Sequence, residues 1–339
     1  MRPIASLPKA HLHLHFTGSM RHTTLLELAE RDGHRLPPAL VEDWPPQLAA
    51  TDEKGWFRFQ RLYDIARAVL RTDDDVRRLV REALEDDAAD GAVWTELQVD
   101  PSGYTAKFGN ITEFTELVLD AAQQASASVG IGVGIVIAAN RTRHPLDARA
   151  LARLAAQYVG RGVIGFGLSN DERRGDTSEF AAAFSIAERA GLLLTPHGGE
   201  LRGPAHVAAC LEHLNPTRLG HGVRAAEDPA VLARVVDTGV ALEVCPTSNV
   251  SLGVYSTLDE VPVRQLLAAG ADVVLGADDP LLFGSRLAGQ YALLRAAQNF
   301  SDDELARLAA MSIRRSCAPD EVKAQAQAGI DAWQAAEPV

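Results

Sequence analysis

The chain has 339 residues, 47% of them hydrophobic, which suits one large buried core, and its formal net charge of −12 argues against a nucleic-acid partner, whose phosphates need a basic stripe. Three widely spaced cysteines, Cys210, Cys245 and Cys317, with no C-x-x-C, exclude a disulfide framework and fit a reducing compartment. The N-terminus lacks the apolar stretch of a signal peptide and no run approaches the roughly 18 apolar residues of a membrane span, so the expectation is a cytoplasmic protein acting on a small molecule, with oligomeric state left open.

The first predicted element is the strand AHLHLHF (10–16). Alternation places His11, His13 and His15 on one face and Leu12, Leu14 and Phe16 on the other. A row of imidazoles suggests a metal; the competing reading is a set of hydrogen-bonded polar residues inside a core. Residues 17–91 form a long connection holding three helical stretches, TTLLELAERDG, WFRFQRLYDIARAVL and DDVRRLVREALEDDAADG, placed to act as a lid. The Pro-rich stretch at 35–48 reads as a loop within it. Further strands follow at AVWTELQV (92–99), GVGIVIAA (132–139), VIGFGLS (163–169), LLLTPHG (192–198), TRLGHG (217–222), VALEVCP (240–246) and DVVLGAD (272–278), with segments of helical period between them. Such alternation requires crossover connections and parallel pairing. The expected fold is α/β: a single (β/α)8 TIM barrel domain over 1–339, with extra helices inserted between strands 1 and 2. The competing doubly wound sheet lacks its Gly-rich phosphate fingerprint after the first strand.

In a barrel the C-terminal strand ends converge on the active site. Polar residues collect there: His13 and His15, Glu96 and Asp100, Asn140, Asn170 and Asp171, His197 and Glu200, His221, Glu243, and Asp278 with Asp279. Singly, each reads equally well as a capping or turn residue. Together, His13, His15, His197 and Asp278 supply the imidazoles and carboxylate of a catalytic zinc site with a position left for water. His11 lies deeper in the barrel and is expected to be structural. A divalent ion makes water a nucleophile near neutral pH. His221 is then the candidate to orient that water or act as base, and Glu200 the proton donor, with a pKa raised by a closed pocket.

The motifs PKAHLHLHFTG, PHGGE, RLGHG, LEVCPTSN and GADDP, in that order, resemble the adenosine deaminase family of metal-dependent amidohydrolases across residues 8 to about 285. The resemblance implies a TIM barrel with one zinc ion per subunit that hydrolytically replaces a purine 6-amino group by oxygen. By position, His13, His15, His197 and Asp278 match the metal ligands, Glu200 the residue that protonates ring N1, His221 the one that helps activate water, and Asp279 the one that contacts N7. Asn170 falls where the family uses a glycine whose backbone N–H meets N3. A binuclear relative would carry a lysine or glutamate near the fourth strand, which VIGFGLSN lacks. The H-x-E and P-C-x-x-C pattern of the cytidine-type zinc deaminases is also absent.

One departure concerns the substrate. The family carries Asp or Glu after the first strand, where an Asp meets the ribose 5′-hydroxyl; here the residue is Thr17. Losing that anion points to a nucleoside substituted at the 5′ carbon, such as 6-amino-6-deoxyfutalosine, deaminated by family members during menaquinone synthesis. Its benzoate requires a cation, for which Arg141 is a candidate along with Arg58, Arg61, Arg143 and Arg173. Phe59, in an aromatic cluster that also fits ordinary helix packing, is the candidate purine contact. Plain adenosine or adenine is the alternative substrate. A catalytically silent binding protein is the alternative class, disfavoured because every ligand and proton-transfer residue stands in place.

Overall fold

The computed structural model describes residues 1–50 and 52–337. Eight strands pair in sequence order, all parallel: β1 Lys9–His15, β2 Ala92–Val99, β3 Gly132–Asn140, β4 Val163–Ser169, β5 Leu193–Gly198, β6 Arg218–His221, β7 Ala241–Val244 and β8 Val273–Leu275. They carry β-branched and apolar residues on both faces, as strands covered by helices outside and packed side chains inside must. Ile135, Val136 and Ile137 in β3 are all buried.

The ring closes just beyond β8. The Asp278 N–H donates to the His13 carbonyl and the His15 N–H to the Asp278 carbonyl, both at 3.0 Å. The eight-stranded parallel barrel expected from the alternation is therefore present. The last two strands are shorter than their apolar runs suggested. Pro246 starts a short helix directly after β7, and after β8 the chain turns at Asp278 into the left-handed region (φ 61°).

Three helices fill the β1–β2 connection: α1 His22–Arg31, α2 Glu53–Ala68 and α3 Asp73–Ala89. Asp52 caps α2, accepting from the Gly55 N–H at 2.6 Å, and Thr72 with Asp75 forms a capping box at the start of α3. α3 packs against β2 and buries Val76, Leu79, Val80 and Leu84. α2 lies across the C-terminal end of the barrel, as expected of a lid. Its Trp56 indole donates to Asn170 Oδ1 at 3.3 Å, and Asn170 Nδ2 donates to Gln60 Oε1 at 3.0 Å, tying the helix to the end of β4.

Deeper in the barrel a fully buried Arg218 bridges Glu96 and Glu243, and its Nη1 donates to the Arg315 carbonyl at 2.9 Å. No described helix is long and apolar enough to cross a membrane.

Candidate active site

Alternation along β1 delivers the three histidines to the barrel interior at different heights. His11 is consumed by structure: Nδ1 lies 2.9 Å from Asp87 and Nε2 accepts the Ala277 N–H at 3.0 Å. His13 and His15 reach the upper layer, where they meet His197 from the end of β5 and Asp278 from the end of β8. One donor atom from each of the four lies within 4.8 Å of the others. His15 Nε2 is 3.2 Å from Asp278 Oδ1 and 3.2 Å from His197 Nε2, while His13 Nε2 is 3.6 Å from Asp278 Oδ1.

Several features show that this set fits a cation. His13 Nε2 is buried without a hydrogen-bond partner, while its Nδ1 faces Glu243 Oε2 at 2.7 Å. That carboxylate fixes the tautomer that turns the Nε2 lone pair inward. Burial opposes charge on His13, yet the adjoining Asp278 carboxylate and the hydrogen-bonded Glu243 outweigh burial and raise its pKa to about 10, so these surroundings favour positive charge. Burial and the neighbouring imidazoles push His197 well below its usual range and keep it neutral, as a ligand must be. Ser248 Oγ donates to Asp278 Oδ2 at 2.6 Å, leaving Oδ1 toward the histidines. A second grouping, His221, Cys245 and Asp278, shares Asp278. There the Cys245 thiol is held protonated by burial and by Asp278, and it donates to the Glu243 carbonyl.

Beside the ligands stand the proton-transfer candidates. Glu200 Oε1 is 3.5 Å from His221 Nε2, and both side chains are buried. Burial, then the negative charge of Asp278, raises the Glu200 pKa well above the carboxylate range. Burial lowers His221 to about 4, leaving a neutral imidazole whose Nδ1 is 3.4 Å from the Asn249 amide. Asp279 is raised by burial and by Asp278, and its Oδ1 is buried without a partner. Gly18 makes room for it, since a Cβ there would stand 1.8 Å from Asp279 Oδ1.

These groups edge a pocket of about 670 Å³ that is also lined by Trp56, Phe59, Tyr63, Arg67, Gln98, Asp100, Asn140 and Asn170. Phe59 stacks on Phe283 at 5.8 Å and also lines the pocket. Asn170 holds φ 81°, a conformation natural to glycine and best tolerated among other residues by asparagine. Thr17, foreseen as a substrate contact, is fully buried and is not among the pocket-lining residues; its hydroxyl pairs with the Tyr104 hydroxyl at 2.5 Å.

Arg141 departs from expectation. Rather than reaching into the pocket, its guanidinium runs inward, donating to the His197 carbonyl at 2.7 Å and approaching His206 and Thr177 at 3.4 and 3.5 Å. A cation so placed steadies a ligand strand and is unavailable to a substrate. Beside it the buried Glu172 accepts N–H groups from Glu200 at 3.1 Å and Arg202 at 2.8 Å and faces His206 Nδ1 at 3.2 Å. Arg58 and Arg143 line an outer groove, Arg173 pairs with Asp171, and Glu96 belongs to the Arg218 network rather than to the pocket. Sequence reasoning missed Glu172, Ser248, Asn249, Tyr63 and Arg67. Ser248 and Asn249 were in view within LEVCPTSN, and Glu172 directly follows GLSND.

The adenosine deaminase family profile matches residues 8–333. The chain belongs to the adenosine deaminase family. The deaminase is 59% identical over 332 residues, 98% of each chain, to a Streptomyces virginiae protein provisionally named adenosine/adenine deaminase. The crystal structure of adenine deaminase from Arthrobacter aurescens superposes with a TM-score of 0.88 at 30% identity, over 99% of this deaminase and 100% of that chain. Arabidopsis ADAL complexed with IMP superposes with a TM-score of 0.85 at 28% identity, covering 97% of each. This protein is thus a hydrolase acting on C–N bonds, with a buried site suited to a metal ion at its centre.

Proposed function

We propose that the enzyme hydrolytically deaminates a 6-aminopurine nucleoside in the cytoplasm, using one zinc ion per subunit held by His13, His15, His197 and Asp278. The observation that carries this reading is the clustering of His13, His15, His197 and Asp278, three of which line one pocket together with Glu200 and His221.

The ion supplies a water activated for attack on C6. Everything else falls to the side chains. His221, neutral through burial, holds that water and accepts its proton. Glu200, kept protonated by burial, delivers a proton to ring N1, which makes C6 electrophilic. Asp279, also raised, can hydrogen-bond to N7, and the Asn170 backbone N–H is the group to meet N3. Phe59 and Trp56 give the ring an apolar wall and exclude competing water.

For the substrate, Thr17 in place of an acid favours a nucleoside bearing a 5′ substituent, with 6-amino-6-deoxyfutalosine the specific candidate. Adenosine or adenine is the second reading, favoured by the names of the Streptomyces virginiae and Arthrobacter aurescens proteins. Metal analysis, combined with loss of aminopurine absorbance on adenosine, adenine and 6-amino-6-deoxyfutalosine, tests the whole reading. Turnover of at least one, dependent on a stoichiometric metal, is expected; binding without turnover would make the protein a silent relative.

A further inference from the structure

Arg67 is a largely covered cation in the pocket wall, and the chemistry above gives it no task. It sits in the last turn of α2 with its side chain 25% exposed. The Tyr63 and Tyr104 rings lie 5.1 and 5.5 Å from its guanidinium carbon. Gly103 lies close beside it: a Cβ there would approach Nη1 to 3.0 Å and Nε to 3.2 Å, tight enough to shift the guanidinium slightly. The Nε–H is buried and has no hydrogen-bond partner. Its salt bridge, to Asp64 at 3.2 Å, involves a carboxylate that is 53% exposed and thus well screened. Asp100, an acid lining the pocket nearby, accepts the Ser102 N–H and hydroxyl through Oδ1 and also acts electrostatically on Arg67. That Nε–H has no accessible surface, so an acceptor entering the pocket would meet the terminal nitrogens of the partly exposed guanidinium.

The surroundings say what that acceptor is. Arg67, Trp56, Gln60, Asn140 and Asn170 line both the catalytic pocket and a wider outer groove, so Arg67 stands at the threshold between them. The groove adds Lys54, Arg58, Arg143 and Arg174 against Glu53, Asp64 and Asp171. Asp171 is taken by Arg173 and Glu53 is near Arg174, whereas Lys54, Arg58 and Arg143 form no salt bridge among the described residues. In a chain of net charge −12, this positive mouth is a local reversal.

Resting on the purine reading of the inner pocket, we propose that Arg67 grips an anionic group, a carboxylate or a phosphate, on the part of the substrate that extends outward from the nucleoside. The flat guanidinium suits paired oxygens of either kind. Arg143 adds charge at the same mouth. Neutral nucleosides occupy the inner chamber alone.

The test compares kcat/KM of the metal-loaded enzyme for adenosine, adenosine 5′-monophosphate and 6-amino-6-deoxyfutalosine, in the wild type, Arg67→Gln and Arg67→Lys. The wild type should favour one anionic substrate over adenosine by about tenfold or more, and Arg67→Gln should cut that ratio by about tenfold, chiefly through KM, with Arg67→Lys restoring part of it. Preference for the monophosphate would identify a phosphate as the group held, and preference for the futalosine a carboxylate. A wild type that prefers adenosine to both, one that turns over adenine alone, or a ratio untouched in Arg67→Gln overturns the proposal while leaving the deaminase intact; no turnover of any of the three or of adenine removes the purine reading and this inference with it. Should Arg67→Gln fail to fold, wild-type affinity for inosine 5′-monophosphate and for futalosine, measured by calorimetry at rising salt, decides. At least one must weaken steeply with ionic strength, and two flat responses refute the idea.

Discussion

At the scale of the residue, function depends on backbone held in costly conformations. Asn170, His221 and Asp278 all have positive φ, and all three are site residues, so the surrounding contacts bear the strain that aims their side chains. Glu200→Gln should keep stoichiometric metal and substrate binding yet lower kcat by about 100-fold or more, the usual worth of a positioned proton donor; unimpaired turnover in stopped assays would remove its role. Because burial raises its pKa, Glu200 stays protonated to higher pH than an ordinary carboxyl, and donation is lost as pH rises through that elevated value. The kcat profile should therefore fall on its alkaline side. Glu243→Gln loses the anion behind His13 and should weaken metal affinity by about 10- to 100-fold, read by competition with a chelator. The cluster of His13, His15, His197 and Asp278, with Glu200 nearby, was legible because strand ends announce themselves in the alternating pattern. Arg141 was not, since no spacing tells whether a long side chain after a strand folds inward beneath a ligand or outward over the mouth.

Among elements, the lid helix matters most. α2 is held to the end of β4 by the Asn170 amide, which accepts from Trp56 and donates to Gln60. Asn170→Gly preserves the left-handed backbone, and with it the N–H offered to N3, but deletes both bonds. KM should rise by about tenfold while kcat changes less, since each lost bond removes roughly 1 kcal/mol of closure; an unchanged KM would show that the helix is held by its apolar contacts alone. The helices and strands themselves could be read from period, and their starts from caps such as Thr72 and Asp75. What period could not give was which polar side chain fastens one element to another, because such bonds join residues more than a hundred positions apart.

For the whole molecule, two buried ionic clusters link stability to the catalytic layer. Glu172 is opposed by burial, but His206, Arg141 and the Arg202 N–H outweigh it and lower its pKa to about 2 from the usual 4.5. Its stabilisation is complete above that usual value and lost as pH falls toward 2, so acid unfolding should begin below about pH 4.5 and shift in Glu172→Gln, as circular dichroism can show. Arg218→Met strands Glu96 and Glu243 without their counter-ion and should cost roughly 3–5 kcal/mol in denaturant titration. The barrel was legible from its eight alternations, whereas this internal pairing was not, because Arg218 and Glu243 sit in motifs that read equally as ligand-bearing strand ends.

Asp278 is both a candidate metal ligand and the residue through which the first strand meets the chain leaving the last. A cation drawn to its carboxylate therefore also works as a clasp on the seam of the ring. Stripping it with a chelator should speed amide hydrogen exchange at His15 and Asp278 more than at β3, coupling the loss of catalytic power to a local loosening of the cylinder.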